Sequence, residues 1–266
     1  MPFADVDDGV ALFYTEHGAG PPLLMVHGWS CDSHDWMWQI PALEQGRRLI
    51  AMDLRGHGRS SVPVGGYSPP RFAADLARLL ETLETGPVVA MGHSLGTVVA
   101  RTLAVERPDL VDALVLVDPV YGIPAELMPM LEASVTAFAG TDPRLVAQAA
   151  FTLFYTPETP AHLPVWHARR IAGMTPAVIA ETLINLYTGP DAWAGGPATD
   201  AFLARRKVPV LAFYADEARA AAERRALPDD GISRIEMWPG VGHFIHQERP
   251  GAFNETVLSW LGRVVS

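Results

Sequence analysis

The five residues Gly92-His93-Ser94-Leu95-Gly96 follow directly on the apolar run Pro87-Val88-Val89-Ala90-Met91 and lead directly into the helical pattern Thr97 to Glu106. A strand that turns this sharply into a helix holds the residue at the turn in a strained backbone conformation with its side chain presented outward. Glycines two residues to either side remove the Cβ atoms that would collide where the chain crosses itself. Ser94 is therefore the candidate nucleophile, and the chain around it must supply a sheet whose strand ends there.

Apolar stretches bounded by turn residues supply that sheet: Leu23 to Val26, Arg48 to Met52, Val88 to Met91, Ala113 to Val117, Val208 to Tyr214 and Ile232 to Trp238. They alternate with helical periodicity, the pattern of an α/β fold with a mostly parallel, doubly wound sheet covered by helices on both faces. Phe72, Leu76, Leu79, Leu80 and Leu83 mark one such helix, and Phe253, Val257, Trp260 and Leu261 mark the last, expected to end at Gly262. Residues 121–206 break the rhythm. They are rich in Met, Pro, Ala and aromatics, with helical segments near 125–138, 143–154 and 176–187 and no convincing strand. The expected organisation is a core domain of residues 1–120 and 207–266 with a helical cap, 121–206, inserted between two sheet strands.

A length of 266 residues with 49% hydrophobic and 19% charged residues suits one large domain of this kind. The net charge of −10 argues against a basic face for nucleic acid or anionic membranes, so neither is expected as a partner. No apolar run is long enough to span a membrane, and Met1-Pro2-Phe3-Ala4-Asp5 lacks the parts of a signal peptide, so a cytoplasmic location is expected. The single cysteine, Cys31, forms no internal disulfide, and the Asp32 beside it opposes a thiolate.

A serine hydroxyl needs a base, and of the nine histidines His243 is the best placed. It follows the last expected strand in the glycine-rich loop Pro239-Gly240-Val241-Gly242-His243-Phe244, and loops at the carboxyl ends of parallel strands converge above the sheet, where Ser94 also sits. His27, before Gly28-Trp29, and His57, in Arg55-Gly56-His57-Gly58-Arg59, are the other two histidines near motifs. No H-E-x-x-H or paired Cys/His spacing suggests a metal, and neither metal nor cofactor is expected.

With these motifs in place the chain resembles the α/β-hydrolase superfamily over nearly its whole length. His27-Gly28-Trp29 resembles its oxyanion loop, Asp53 to Ser60 the turn after the next sheet strand, Gly92 to Gly96 its nucleophile elbow and Gly240 to His243 the loop of its general base. The resemblance implies an oxyanion hole from the backbone NH groups of Trp29 and Leu95. It also implies an acid shortly after the strand Val208 to Tyr214, but Ala218 stands where that aspartate is expected. Asp216 and Glu217 lie next to it. Asp118, after the strand Leu114 to Val117, occupies the place where a minority of the superfamily keeps its acid, and it is the favoured partner of His243, with Asp216 the alternative.

That minority includes the zearalenone-type lactone hydrolases, whose cap carries a Pro-Val-Trp segment; Leu163-Pro164-Val165-Trp166 is similar. It also includes the cofactor-free quinolone dioxygenases, although the elbow here is that of an ordinary esterase. The resemblance implies acyl transfer to water from a small hydrophobic ester or lactone, plausibly a macrolactone, by Ser94, His243 and Asp118. Trp29, Trp166, Met128, Phe138 and Phe154 are expected to contact substrate, with Met130, Phe151 and Tyr155 as further apolar lining. Haloperoxidase or perhydrolase chemistry on the same groups, and a ligand-binding receptor, are the alternative functions. Because the base must be neutral to act, activity is expected to fall below about pH 6 to 7.

Overall fold

The computed structural model describes residues 2–7, 9–123, 125–188 and 197–264; residues 189–196 of the expected cap lie outside them. The strands are β1 (Phe3–Asp7), β2 (Val10–His17), β3 (Pro22–Val26), β4 (Arg48–Met52), β5 (Val88–His93), β6 (Val111–Val117), β7 (Val210–Tyr214) and β8 (Arg234–Met237). They form one sheet in the order β1-β2-β4-β3-β5-β6-β7-β8. From β4 to β8 every neighbour is parallel, while β1 and β2 form an antiparallel extension at the β4 edge. That extension was not anticipated. Its alternation is masked by Phe3 and Phe13, which face each other edge to face at 5.5 Å on a partly exposed surface.

The central strands read as continuous apolar runs because both faces are covered, and alternate residues serve different cores. Leu24, Val26, Ile50, Met52, Ala90, Leu114, Leu116 and Ala212 enter one. Leu23, Met25, Leu49, Ala51, Met91, Val115, Leu211 and Phe213 enter the other, against Trp36, Phe253, Val257 and Trp260. The first core is closed by α2 (Pro69–Thr82) and α3 (Leu95–Glu106), and the second by α1 (Ile40–Leu43) and α11 (Pro250–Val264), which runs past the expected stop at Gly262.

All described elements between β6 and β7 are helical: a 3₁₀ turn, α4 (Met128–Ala137), α5 (Pro143–Thr152), α6 (His162–Gly173), α7 (Pro176–Tyr187) and α8 (Pro197–Ala204). α6 and α8 were not expected as helices. Pro164 sits in the first turn of α6, where a missing NH costs nothing. Beyond β7 come α9 (Glu217–Ala226) and, after β8, α10 (Ile245–Glu248).

A fully buried ion network locks α9 to the core. Glu223 accepts from Arg101 of α3 at 2.6 Å, from Arg206 at 2.6 Å and from the Tyr121 hydroxyl at 2.5 Å. Burial alone would raise the Glu223 carboxyl, but the two guanidinium groups outweigh it and hold the group below its ordinary range. Removing the glutamate strands two cations without a counter-charge. Glu223→Ala is expected to lower the unfolding free energy by about 3–5 kcal/mol; a urea titration that shows an unchanged midpoint would refute this account of the network.

Candidate active site

The sheet register brings the site together. His93, the last residue of β5, pairs with Val117, the last of β6, so Ser94 and Asp118 leave adjacent strands side by side. The Ser94 NH donates to Val117 O at 3.0 Å, and the Asp118 NH to Phe213 O at 2.9 Å. Ser94 has φ 53° and ψ −118°, and Asp118 has φ 45°, both outside the regions that L-residues ordinarily occupy. The turn is fixed by its glycines: a Cβ at Gly92 would stand 2.2 Å from Gly96 O, and one at Gly96 2.2 Å from Val26 O. The loop after β3 is also close, though less tightly constrained, since a Cβ at Gly28 would lie 3.2 Å from Ser94 Cβ.

His243 arrives from the loop after β8. Its NH donates to Phe154 O at 2.9 Å, and the preceding Gly242 NH to Glu248 Oε2 at 2.9 Å. A Cβ on Gly242 would meet Phe154 O at 2.4 Å, which is why the loop needs that glycine. Its Nδ1 is hydrogen-bonded to Asp118 Oδ2, while Nε2 makes no hydrogen bond among the described residues. Ser94 and His243 are not hydrogen-bonded to each other, but both line one cavity of about 240 Å³, also bordered by Gly28, Trp29, Phe151, Phe154, Leu183 and Tyr187. Apolar side chains dominate that lining. Leu95, next to Ser94 in sequence, opens α3, where the first-turn NH groups have no intrahelical acceptor, and Trp29 lines the same cavity as Ser94.

The two candidate acids separate cleanly. Asp118 is buried beside His243. Burial would raise its carboxyl, but the Arg219 guanidinium, then the His243 hydrogen bond, hold it below the ordinary carboxylate range. Asp216 instead caps α9, accepting from the Arg219 NH at 3.0 Å, and Glu217 is exposed and paired with Arg224 at 2.7 Å. Sequence reasoning missed Arg219. Its Nη1 reaches Asp118 Oδ2 at 2.7 Å and its Nη2 Pro119 O at 2.8 Å. The signal was present in the departure at Ala218, where a cation follows the missing carboxylate.

Among the expected substrate contacts, Trp29 and Phe154 line the cavity, with the Phe154 ring 4.6 Å from that of His243. Phe151 and Met130 also line it. Trp166, Met128 and Phe138 do not. Trp166 lies on the outer side of α6 between His34 and His162, with ring centroids 5.7 and 4.5 Å away, beside a separate polar groove. It is Leu163, His167 and Ile171 that α6 buries. Phe138 packs against the core, and Met128 begins α4 on the side away from the cavity lined by Leu127, Met130 and Leu131. Tyr155 is held by His167 Nδ1 at 2.9 Å. The lining that composition did not single out is the Leu183, Leu186, Tyr187 face of α7.

The other histidines build structure. His27 accepts from the Leu54 NH at 2.9 Å, and His57 bonds Arg55 O at 3.0 Å. Asp35, His93 and His246 form a buried group whose ligand-type atoms lie within 4.8 Å of one another, the geometry among the described residues that could hold a metal. Its carboxylate is already neutralised, by Arg170 at 2.6 Å, and His93 Nε2 bonds His243 O at 3.0 Å. Burial pushes His246 down to about 3 and holds His93 well below its usual range, so both are neutral. Burial likewise raises the Cys31 thiol, leaving it a poor nucleophile.

A family model for the alpha/beta hydrolase fold matches residues 21–227. The chain is 30% identical over 278 aligned residues to a non-heme haloperoxidase of Rhodococcus erythropolis, covering 98% of this chain and 99% of that protein. Among solved structures, a hydrolase from Pseudomonas aeruginosa PA01 has a TM-score of 0.84 at 25% identity, over 98% of this chain and 97% of that one. The enol-lactonase from Burkholderia xenovorans LB400 has a TM-score of 0.81 at 22% identity, over 98% and 100%, a likeness of fold. The chain belongs to the α/β-hydrolase family. It is an enzyme of that family, with an eight-stranded, mostly parallel sheet. Among the described residues no helix is long and apolar enough to cross a membrane.

Two substitutions separate the site from its surroundings. Asp216→Ala is expected to cost about 1 kcal/mol of stability through the lost helix cap while leaving kcat unchanged. Trp166→Ala is expected to leave kcat and KM within about twofold of the unmodified enzyme, and a KM raised tenfold or more would return Trp166 to the substrate site.

Proposed function

We propose that the protein is a serine hydrolase that cleaves carboxylic esters or lactones through Ser94, His243 and Asp118, without a cofactor. The observation that carries this reading is the state of His243. Its Nδ1 is engaged by a buried carboxylate, its Nε2 has no hydrogen-bond partner among the described residues, and His243 lines the cavity that holds Ser94. A histidine held this way is a base waiting for a proton from one direction.

His243 Nε2 takes the Ser94 proton as Oγ attacks the acyl carbon. The oxyanion that forms is stabilised by the NH groups of Trp29 and Leu95, and one such donor is worth about 10²–10³ in rate. His243 then gives its proton to the leaving alcohol, and water, deprotonated by the same nitrogen, hydrolyses the acyl-enzyme. Asp118 fixes the tautomer and stabilises the imidazolium in both halves. The described helices between β6 and β7 act as a cap that excludes bulk water and grades substrates by size.

Size favours a short, apolar acyl group. A cavity of about 240 Å³ lies below the roughly 300–1,000 Å³ usual for drug-sized ligands. The tryptophan that suggested a zearalenone-type macrolactone borders a different groove. A small ester or lactone is therefore the substrate class proposed.

A second reading is favoured by the haloperoxidase likeness across the whole chain. Hydrogen peroxide can replace water as acceptor of the acyl group, giving a peracid from the same acyl-enzyme. Fluorophosphonate labelling and turnover of p-nitrophenyl butyrate, with and without peroxide and a short carboxylic acid, test both readings. Ser94→Ala is expected to lose both label and turnover. Asp118→Asn should keep the serine but lose about 10⁴ in kcat, the effect of a misdirected tautomer. A Ser94 that takes no label in a protein still able to bind apolar esters would point to a receptor instead.

A further inference from the structure

We propose that Arg219 is a positioning residue of the triad, holding the Asp118 carboxylate in place for His243 and supplying the counter-charge that leaves the pair neutral when the histidine is the free base. The inference rests on the triad reading above. Ala218 stands where the resemblance implies an acid after β7, and the first turn of α9 there presents the Arg219 guanidinium to Asp118 at the end of the neighbouring strand.

The geometry of Arg219 is fixed at both ends. Its NH donates to the Asp216 side chain at 3.0 Å, and its guanidinium forks between Asp118 Oδ2 at 2.7 Å and Pro119 O at 2.8 Å. One helical turn further, on the same face of α9, Glu223 is anchored to Arg101 and Arg206. Arg101 belongs to α3, whose first residue follows Ser94, so the nucleophile helix and the arginine share one buried anchor. Arg219 Nη1 and His243 Nδ1 converge on the same carboxylate oxygen, while Asp118 Oδ1 is buried without a hydrogen-bond partner. The acid is thus held through one oxygen, by two donors.

A charge count gives the consequence. With arginine present, the three groups sum to zero when His243 is neutral and to +1 when it is protonated. Without arginine the sums are −1 and zero. A buried cluster favours the neutral sum, so Arg219 favours the free base and extends activity toward acid.

The groups facing His243 from the packed elements do not confuse that reading. His93 from β5, His246 from α10 and His167 from α6 surround His243 itself, Glu248 of α10 accepts from the neighbouring Gly242 NH, Tyr187 of α7 and Tyr214 of β7 lie near Arg219, and Asp35 lies near His167 and His246. Burial holds His246 at about 3 and His167 at about 4 and raises Tyr187 to about 12; it also holds His93 well below and Tyr214 well above their ordinary ranges. Burial would raise Asp35, but Arg170 outweighs it and keeps that carboxylate ionised.

The test is the pH profile of kcat/KM for p-nitrophenyl butyrate in the unmodified enzyme and in Arg219→Lys, Arg219→Gln and Arg219→Leu. Loss of the charge, in Gln and Leu, is expected to move the acid limb up by about one pH unit or more. Lysine should leave the limb in place while lowering kcat, because the fork to Asp118 and Pro119 is lost. Glutamine retains an amide donor and keeps the measurement informative if the leucine variant does not fold. An acid limb that stays put in the neutral variants while kcat falls would overturn the inference and leave Arg219 a packing residue. A limb that moves equally in lysine and glutamine would also overturn it. Asp118→Asn, measured alongside, separates the two layers: undiminished turnover there overturns the triad reading itself, whereas lost turnover with an unmoved limb in Arg219→Gln overturns only the role of the arginine.

Discussion

The site depends on a crossing of three chain segments with no room for a side-chain carbon. α3 starts close enough to the ends of β3 and β5 that the backbone at Gly96 abuts Val26 O, and that at Gly92 abuts Gly96 O. Once those contacts exist, the parallel register does the rest. Ser94 must emerge next to Asp118, and the loop after β3 must bring Gly28 and Trp29 against the serine. The strain stored at Ser94 and Asp118, of order 1–3 kcal/mol each, is carried by the two cores on either face of the sheet.

Electrostatic order at this centre is maintained largely by neutrality. Histidines 93, 167 and 246 crowd His243, and each is kept uncharged by burial. The ionised groups are partnered: Asp118 with Arg219, Asp35 with Arg170, and Glu223 shared between two arginines and the Tyr121 hydroxyl. The segment between β6 and β7 is bound into the same arrangement. Phe154 O receives the His243 NH, and Ile179 O receives the Trp29 indole at 3.0 Å, so backbone atoms from the helices over the sheet hold both the proposed base and the proposed oxyanion loop.

Legibility followed the range of the forces involved. The elbow, the central strands and the helices α2, α5 and α7 were readable because local backbone sterics and periodic burial leave a pattern in consecutive residues. His243 was readable because parallel strands send their loops to one end. The edge hairpin β1–β2 was not, since a half-exposed edge selects weakly for alternation, and α6 was hidden by a proline that is harmless in a first turn. Trp166 illustrates the limit most clearly. Its rotation about the α6 axis decides whether an indole lines the cavity or an outer groove, and that rotation is set by Leu163, His167 and Ile171 packing beneath it rather than by the segment around the tryptophan. Arg219 was hidden for a related reason, because its partner lies a hundred residues away on the adjacent strand.

The hydrogen bond from the Asp118 NH to Phe213 O places the ends of β6 and β7 in direct contact. With the triad proposed here, the carboxylate has only one strand to travel between this arrangement and the commoner one, while the histidine and serine stay where they are. A lineage passing through an intermediate with carboxylates on both strands would keep a working partner for its base throughout. Arg219 then makes the step hard to reverse. With a guanidinium committed to Asp118, moving the acid to the β7 loop demands a second change that gives that cation a new partner.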